Sequence, residues 1–273
     1  MSTKRLTPTK GSFQAEYLRS GDPYELSHGH AILCLPTGGQ GSRANLLGGV
    51  VLDSDPAVDE AGVDTGFSPS PGMLRAPDVA VGKIPNAPGW VKGVPSLAVE
   101  YADSGQDEAE LANKIKDLIG CGTGMIWVVR LTGPRRVEVH RPRRAVQVYF
   151  PGQLLTAPGV LKNPVPVEAL YDRNAAHEAA LRNLLQRRGY SSIEEIRTEA
   201  RAEGKAEGKT EGKTEGKASL LLLQFHYRFG SVPAEIESYV RVADSDHLDE
   251  WSKQLIDGKS LSEIFSTLHF SNR

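Results

Sequence analysis

The stretch from Arg75 to Gly122, with the apolar run just beyond it, leaves this chain the fewest choices of fold. It reads RAPDVAV, a Pro/Gly-rich connection, PSLAVEY, then DEAELANKIKDLIGCG and MIWVVR. Short apolar runs fenced by Pro and Gly predict buried strands, one opened by Asp78 (Val79, Ala80, Val81) and one closed by Glu100 (Leu97, Ala98, Val99). From Asp107 the period changes. Leu111, Ile115, Leu118 and Ile119 recur at helical spacing, and Gly120 and Gly122 end the helix. Met125 to Val129 predicts a third strand with Trp127 in the core.

A carboxylate at the end of a buried strand needs a cation, a donor or water nearby, because an unpaired charge is costly in a dry core. Lys114 follows Leu111 by three residues and precedes Leu118 by four, so it shares their inward side, whereas Lys116 points elsewhere. Two strand-borne acids and one inward lysine fit a divalent-metal phosphodiesterase site. Mg²⁺ takes hard oxygen ligands, one or two carboxylates plus substrate phosphate, and a lysine can orient water or stabilise developing charge. The same residues allow a plain alternative, in which strand-end acids are solvated and a helical lysine snorkels.

The segments LRAPDVAV (74–81), LAVEY (97–101) and KIKDLIGCG (114–122), followed by Trp127-Val-Val, resemble the Uma-two family of restriction endonucleases, within the PD-(D/E)XK nuclease superfamily. The resemblance covers roughly residues 20–165 and rests on the order and spacing of the parts. It implies an α/β fold, a restriction-endonuclease-like mixed β-sheet core flanked by helices. It further implies Asp78 and Glu100 as ligands of Mg²⁺ or Mn²⁺, Lys114 as a catalytic lysine moved onto the helix, and Glu25 as an extra early acid. The activity it implies is metal-dependent endonuclease cleavage of nucleic acid, DNA first. Two positions depart from the pattern: Asp103-Ser104 stands where the family has Ser-Pro, and Leu118 where it has Tyr. Those changes keep open a catalytically degenerate nucleic-acid-binding or regulatory protein, and an interaction protein working through its tail is a third reading. On the enzyme reading, Lys114→Ala is expected to lower turnover far more than stability.

At 273 residues the chain is long enough for one full domain and a smaller one. Its net charge of −2 does not announce a nucleic-acid binder, so any basic surface must be local. Five arginines in ten residues (Arg135, Arg136, Arg141, Arg143, Arg144) could supply it as phosphate contacts, or could simply keep a sheet edge soluble. The two cysteines, Cys34 and Cys121, form no Cys-x-x-Cys pair, which excludes a paired-cysteine zinc site and suggests a reducing cytoplasm. The first residues have no apolar core of a signal peptide, and no apolar run approaches the roughly 18 residues of a membrane span.

The remaining motifs are weaker. Residues 24–35 predict a hairpin turning at Ser27-His28-Gly29, where His28 and His30 are expected to face solvent. The loop PTGGQGS (36–42) lacks the endings of a P-loop or a dinucleotide fold, although a helix start there could touch a phosphate. Asp64 is a second-rank acid. Residues 202–217 repeat Ala/Thr-Glu-Gly-Lys four times. Each Gly costs up to about 1 kcal/mol against Ala, and like charges stack four residues apart. No large apolar positions accompany the glycines within the repeats, which favours a spacer over a packing face. The expected organisation is a flexible 1–20, a nuclease-like domain at 21–172, a helical linker at 173–217 and a small helical bundle at 218–268. Repeats and bundle resemble the tail of Rpn-type nucleases, which implies assembly, as a homo-oligomer or with a protein partner, rather than chemistry.

Overall fold

The computed structural model describes residues 13–105 and 107–266. The chain divides into two compact units, Met1–Ser192 and Ile193–Arg273. The expected loose N-terminus lies mostly outside the described residues.

The first unit opens with a hairpin, β1 (Tyr24–Ser27) and β2 (His30–Leu33), followed by helix α1 (Gly39–Asp53). Short strands β3 (Ala61–Val63), β4 (Phe67–Ser68), β5 (Val79–Val81) and β6 (Val91–Lys92) lead to the six-residue β7 (Leu97–Ala102). Helix α2 (Glu108–Gly120) crosses over to β8 (Met125–Arg130), and β9 (Arg136–His140), β10 (Gln147–Tyr149), β11 (Leu154–Leu155), β12 (Val165–Pro166) and α3 (Arg173–Arg187) complete the unit. The main sheet has six strands in the order β10-β9-β8-β7-β5-β3. Only β7 and β8 are parallel, because the α2 crossover lies between them; the other pairs in this sheet are antiparallel. This is the mixed α/β architecture expected.

Sheet register separates two faces. Val79, Val99 and Trp127 stand level on one of them, covered by Leu47, Val51 and Leu52 of α1 and by Ala176 and Ala179 of α3. On the other face Ala98, Ala102, Ile126 and Val128 receive Leu111, Ile115, Leu118 and Ile119 of α2. Glu100 sits between two alanines on that second face, so the small side chains beside it let α2 come close. The N-terminus of α2 is capped by Asp107, whose carboxylate accepts from Ala109 and Glu110, and Glu108 and Glu110 in the first turn suit the helix dipole.

Helix α3 corrects the expected linker. Its first turns are core of the first unit, and Asn183 donates to the Val51 carbonyl (3.2 Å) and to Ser54 Oγ (3.1 Å). Arg187 donates to the carbonyls of Asp53, Ser54 and Asp55 at the C-terminus of α1, where a cation is favoured. The left-handed Gly189 (φ 90°) then breaks the helix.

The second unit begins with α4 (Ile193–Phe229), one uninterrupted helix of 37 residues that includes all four repeats. The left-handed Gly230 (φ 77°) ends it. Helices α5 (Ala234–Val242), α6 (Ser245–Ile256) and α7 (Leu261–Ile264) fold back on its last turns. Ala218, Leu221, Leu222 and Phe225 meet Ile236, Val240, Leu248, Trp251 and Phe265 in a separate core, with the Trp251 and Phe265 rings 4.9 Å apart. No helix among the described residues is long and apolar enough to cross a membrane.

One close approach links α1 to the strand that carries Glu100. A Cβ on Gly48 would fall 1.9 Å from the hydroxyl of Tyr101, which is buried and donates to the Leu170 carbonyl (3.0 Å). Gly48→Ala should therefore destabilise the protein by about 1–3 kcal/mol through overpacking. Adding Tyr101→Phe should recover part of that loss. Urea unfolding of the two variants and their combination measures both terms.

Candidate functional site

Four elements bring charged side chains to one place. The hairpin exchanges backbone bonds with the chain before β5, Leu26 N to Leu74 O (2.8 Å) and Leu74 N to Leu26 O (3.0 Å), which sets Glu25 beside Arg75. Asp78 precedes β5, Glu100 lies in β7, and Glu110, Lys114 and Asp117 form one stripe of α2 at i, i+4 and i+7. All six side chains, with Arg75, belong to one charged cluster.

Lys114 is at its centre. Its ammonium lies 3.0 Å from Glu25 Oε1 and 3.0 Å from Glu100 Oε1, and it donates to the Ala76 carbonyl (2.7 Å). Only 13% of its side chain is exposed, so it does not snorkel. Arg75, buried more deeply, donates through Nη1 to Glu25 Oε2 (3.1 Å) and Glu110 Oε1 (2.8 Å), and through Nε to Asp117 Oδ2 (2.9 Å). Asp117 also accepts from Ser27 Oγ (2.8 Å). Asp78 Oδ2 accepts from the Tyr101 N–H (2.6 Å), which holds this acid against the β7 backbone.

Five carboxylates, Glu25, Asp78, Glu100, Glu110 and Asp117, thus share two cations, and the balance of charge is negative. The effect shows in the proton affinities. Burial works against the charge on Lys114, but Glu100, Glu25 and Asp78 outweigh it and hold the ammonium protonated. Glu100 is pushed up to about 8, first by burial and then by Asp78 and Glu25, against the pull of Lys114. Its Oε1, although close to the ammonium, has no hydrogen bond of good geometry. Asp64, at the rim, is also raised, by burial and by Asp78. Cys34 is exposed, and partial desolvation and Glu25 push its thiol up to about 11.

Glu25 and Glu100 meet at Lys114, and Asp78 lies near enough to act electrostatically on both Glu100 and Lys114. Arg75, Glu110 and Asp117 complete the cluster and were not foreseen as site residues; the 110–114–117 spacing was legible, whereas the partner of Arg75 depends on how the hairpin docks. The five arginines do not form one patch. Arg135 and Arg136 stand at the start of β9, level with the Ala102 end of β7 through Arg130, while Arg141, Arg143 and Arg144 lie past the other end of β9. Arg136 pairs with Glu138 (3.0 Å), Arg135 lies over the Tyr171 ring (4.7 Å), and Arg141 donates to Gln147 (2.6 Å). His28 is exposed on the turn, its Nε2 3.5 Å from Asp117.

Among the described residues no three His, Cys, Asp or Glu side chains form a ready metal-binding group. The negative balance of the cluster still suits a hard cation that needs only one or two carboxylates.

No family model matches the chain. No curated protein matches it either. Among solved structures it is similar to one described as "a putative nuclease belonging to DUF820 from Anabaena variabilis", with a TM-score of 0.47 and 17% identity, over 58% of this chain and 94% of that one. At that identity and score, the reading of the site rests on its own residues.

Two measurements test the electrostatics. Glu100 has a folded pKa above the ordinary 4.5, so folding disfavours its ionised form; the cost is absent below about 4.5 and complete above about 8. Glu100→Gln should accordingly stabilise the protein above pH 8, on the order of 1 kcal/mol or roughly 2–4 °C, with the gain shrinking to nothing as the pH falls through that window. Lys114→Met should do the opposite. It removes the cation that Glu25 and Glu100 share and leaves Glu25 to Arg75 alone, a loss on the order of 3 kcal/mol at neutral pH, smaller in acid as the carboxyls take up protons.

Proposed function

We propose that the cluster is the active site of a metal-dependent nuclease that hydrolyses phosphodiester bonds of nucleic acid, DNA first. The observation that carries this reading is the convergence of Glu25 and Glu100 on the buried Lys114 ammonium, with Asp78 near enough to act on both Glu100 and Lys114. In this reading Asp78 and Glu100 would hold Mg²⁺ or Mn²⁺. A bound cation there supplies charge neutralisation for a phosphate and a lower pKa for water. Lys114 stabilises charge developing on the phosphoryl oxygens, and Arg75 keeps Glu25 and α2 in place so that the ammonium stays where it is. Glu25 anchors Lys114 and serves as the additional acid. Arg135 and Arg136, at the nearer end of β9, are the arginines best placed to meet a flanking phosphate; Arg141, Arg143 and Arg144 would need a longer substrate path.

A second reading has its own support. The Lys114 ammonium donates to the Ala76 carbonyl and lies in ion-pair contact, 3.0 Å each, with Glu25 and Glu100. An ammonium so engaged suits a structural strut, in a protein that binds nucleic acid without cutting it.

The two part on one experiment, incubation of duplex DNA, single-stranded DNA and RNA with Mg²⁺, Mn²⁺ or chelator. The nuclease reading expects cleavage that needs the metal and falls on the order of 10²–10³-fold in Asp78→Asn, the range for loss of one preorganised charge contact. Cleavage that survives chelation, or equal rates in Asp78→Asn, would sink it. Retention of nucleic acid with no cleavage under any metal would establish the binding reading instead.

A further inference from the structure

The unexplained surface of this protein is the outer face of α4. Leu220, Leu223 and Tyr227 are 56%, 66% and 94% exposed, and Leu223 and Tyr227 line an open groove of about 540 Å³ with Leu255 and Ile256. At about 100° per residue these three side chains share an arc of about 80° with Gly212 and Gly216. That arc lies on the side of α4 away from Ala218, Leu221, Leu222 and Phe225, which fill the core of the second unit. Beyond the repeats, then, the glycine row does run on into large apolar residues, the feature whose absence favoured a spacer.

The charges say what covers this face. In each repeat Glu precedes the glycine and Lys follows it, so the two signs stand on opposite flanks of the glycine row. Glu203, Glu207, Glu211 and Glu215 are separated from Lys205, Lys209, Lys213 and Lys217 by two, six or more residues, never by three or four. The helix therefore cannot pair these charges within itself, and it stacks like charges at i+4. Lys217 reaches Asp249 (2.5 Å) in the bundle, but the array as a whole is complementary to something outside.

A second copy of the same helix has the required pattern. With a two-fold axis parallel to the helices, the lysine flank of one copy faces the glutamate flank of the other on both sides of the seam. With the axis across the helices, lysine faces lysine. Glycines on the seam let the backbones approach, and i+4 rows of small residues pack with a right-handed crossing.

We propose that α4 forms a parallel homodimer, seated on Gly212, Gly216, Leu220, Leu223 and Tyr227 and selected by flanking Glu–Lys pairs between copies. The test is sedimentation of the full chain at concentrations on the order of 100 µM, where even a micromolar interface is saturated. The native chain should run as a dimer that weakens with salt, and Leu223→Lys with Tyr227→Lys should run as a monomer with an unchanged melting curve. A chain with Lys205, Lys209 and Lys213 all changed to Glu should lose association at least tenfold, and mixing it with a chain carrying Lys at 203, 207 and 211 should restore it. Gly208→Cys, in a background with Cys34 and Cys121 changed to Ser, should form a disulfide between copies, because the parallel arrangement sets residue 208 beside its counterpart. A native monomer, a charge-reversed chain that dimerises as well as the native one, or failure of the Gly208→Cys bridge in an otherwise dimeric chain would overturn the proposal.

Discussion

Lys114 is the contact on which the first unit's charged interior depends. A single ammonium on α2 reaches an acid on the N-terminal hairpin, an acid in the central strand and a backbone carbonyl just before Asp78. Hydrophobic packing of α2 on Ala98, Ala102, Ile126 and Val128 brings the lysine down to the sheet, but the lysine decides which elements can stay together there. Without it Glu100 would have no cation and Glu25 only Arg75, and breaking a buried ion pair costs several kcal/mol. Arg75 repeats the device one layer further in, tying Glu25 to Glu110 and Asp117. Each acid on the hairpin or in a strand is thus answered by a cation from a different element.

That division of labour explains which parts were readable in advance. The strands around Val79 and Val99, the helix carrying Lys114 and the strand through Trp127 announce themselves by local period and by Pro and Gly, so their order was legible. The inward aim of Lys114 follows from its spacing to Leu111 and Leu118 alone. Arg75 was quoted in the same motif with no role, because its partners come from residues 25, 110 and 117, and no local pattern reports how a hairpin docks on a distant helix. The placement of the arginines of 135–144 was hidden for a related reason. Closeness in sequence across a hairpin strand puts residues at opposite ends of that strand, so one dense run became two separate groups. Helix α3 was misplaced because its amphipathic face gives no hint of which core it joins; Ala176, Ala179 and Asn183 show that it belongs to the first.

The second unit is built on different terms. Its core is a compact set of Leu, Ile, Val and aromatic side chains gathered at one end of α4. The capping box of Ser260 and Glu263 and the left-handed Gly230 mark its turns locally. The N-terminal part of α4, by contrast, is exposed on nearly every side. Four glycines weaken a helix that has no internal ion pairing across its repeats, so helicity there draws on its neighbours more than on its own residues.

The repeat length has a mechanical consequence of its own. Because a unit of four residues turns the chain by about 400°, gaining or losing one unit leaves a net twist of only about 40° and a length change of about 6 Å. Every unit preserves the order of acid, glycine and base, so tandem expansion or contraction of the underlying gene segment would alter the reach of the arm without scrambling its edge pattern. An insertion of two or three residues would not be forgiven in this way, since it would swing everything downstream to another side of the rod.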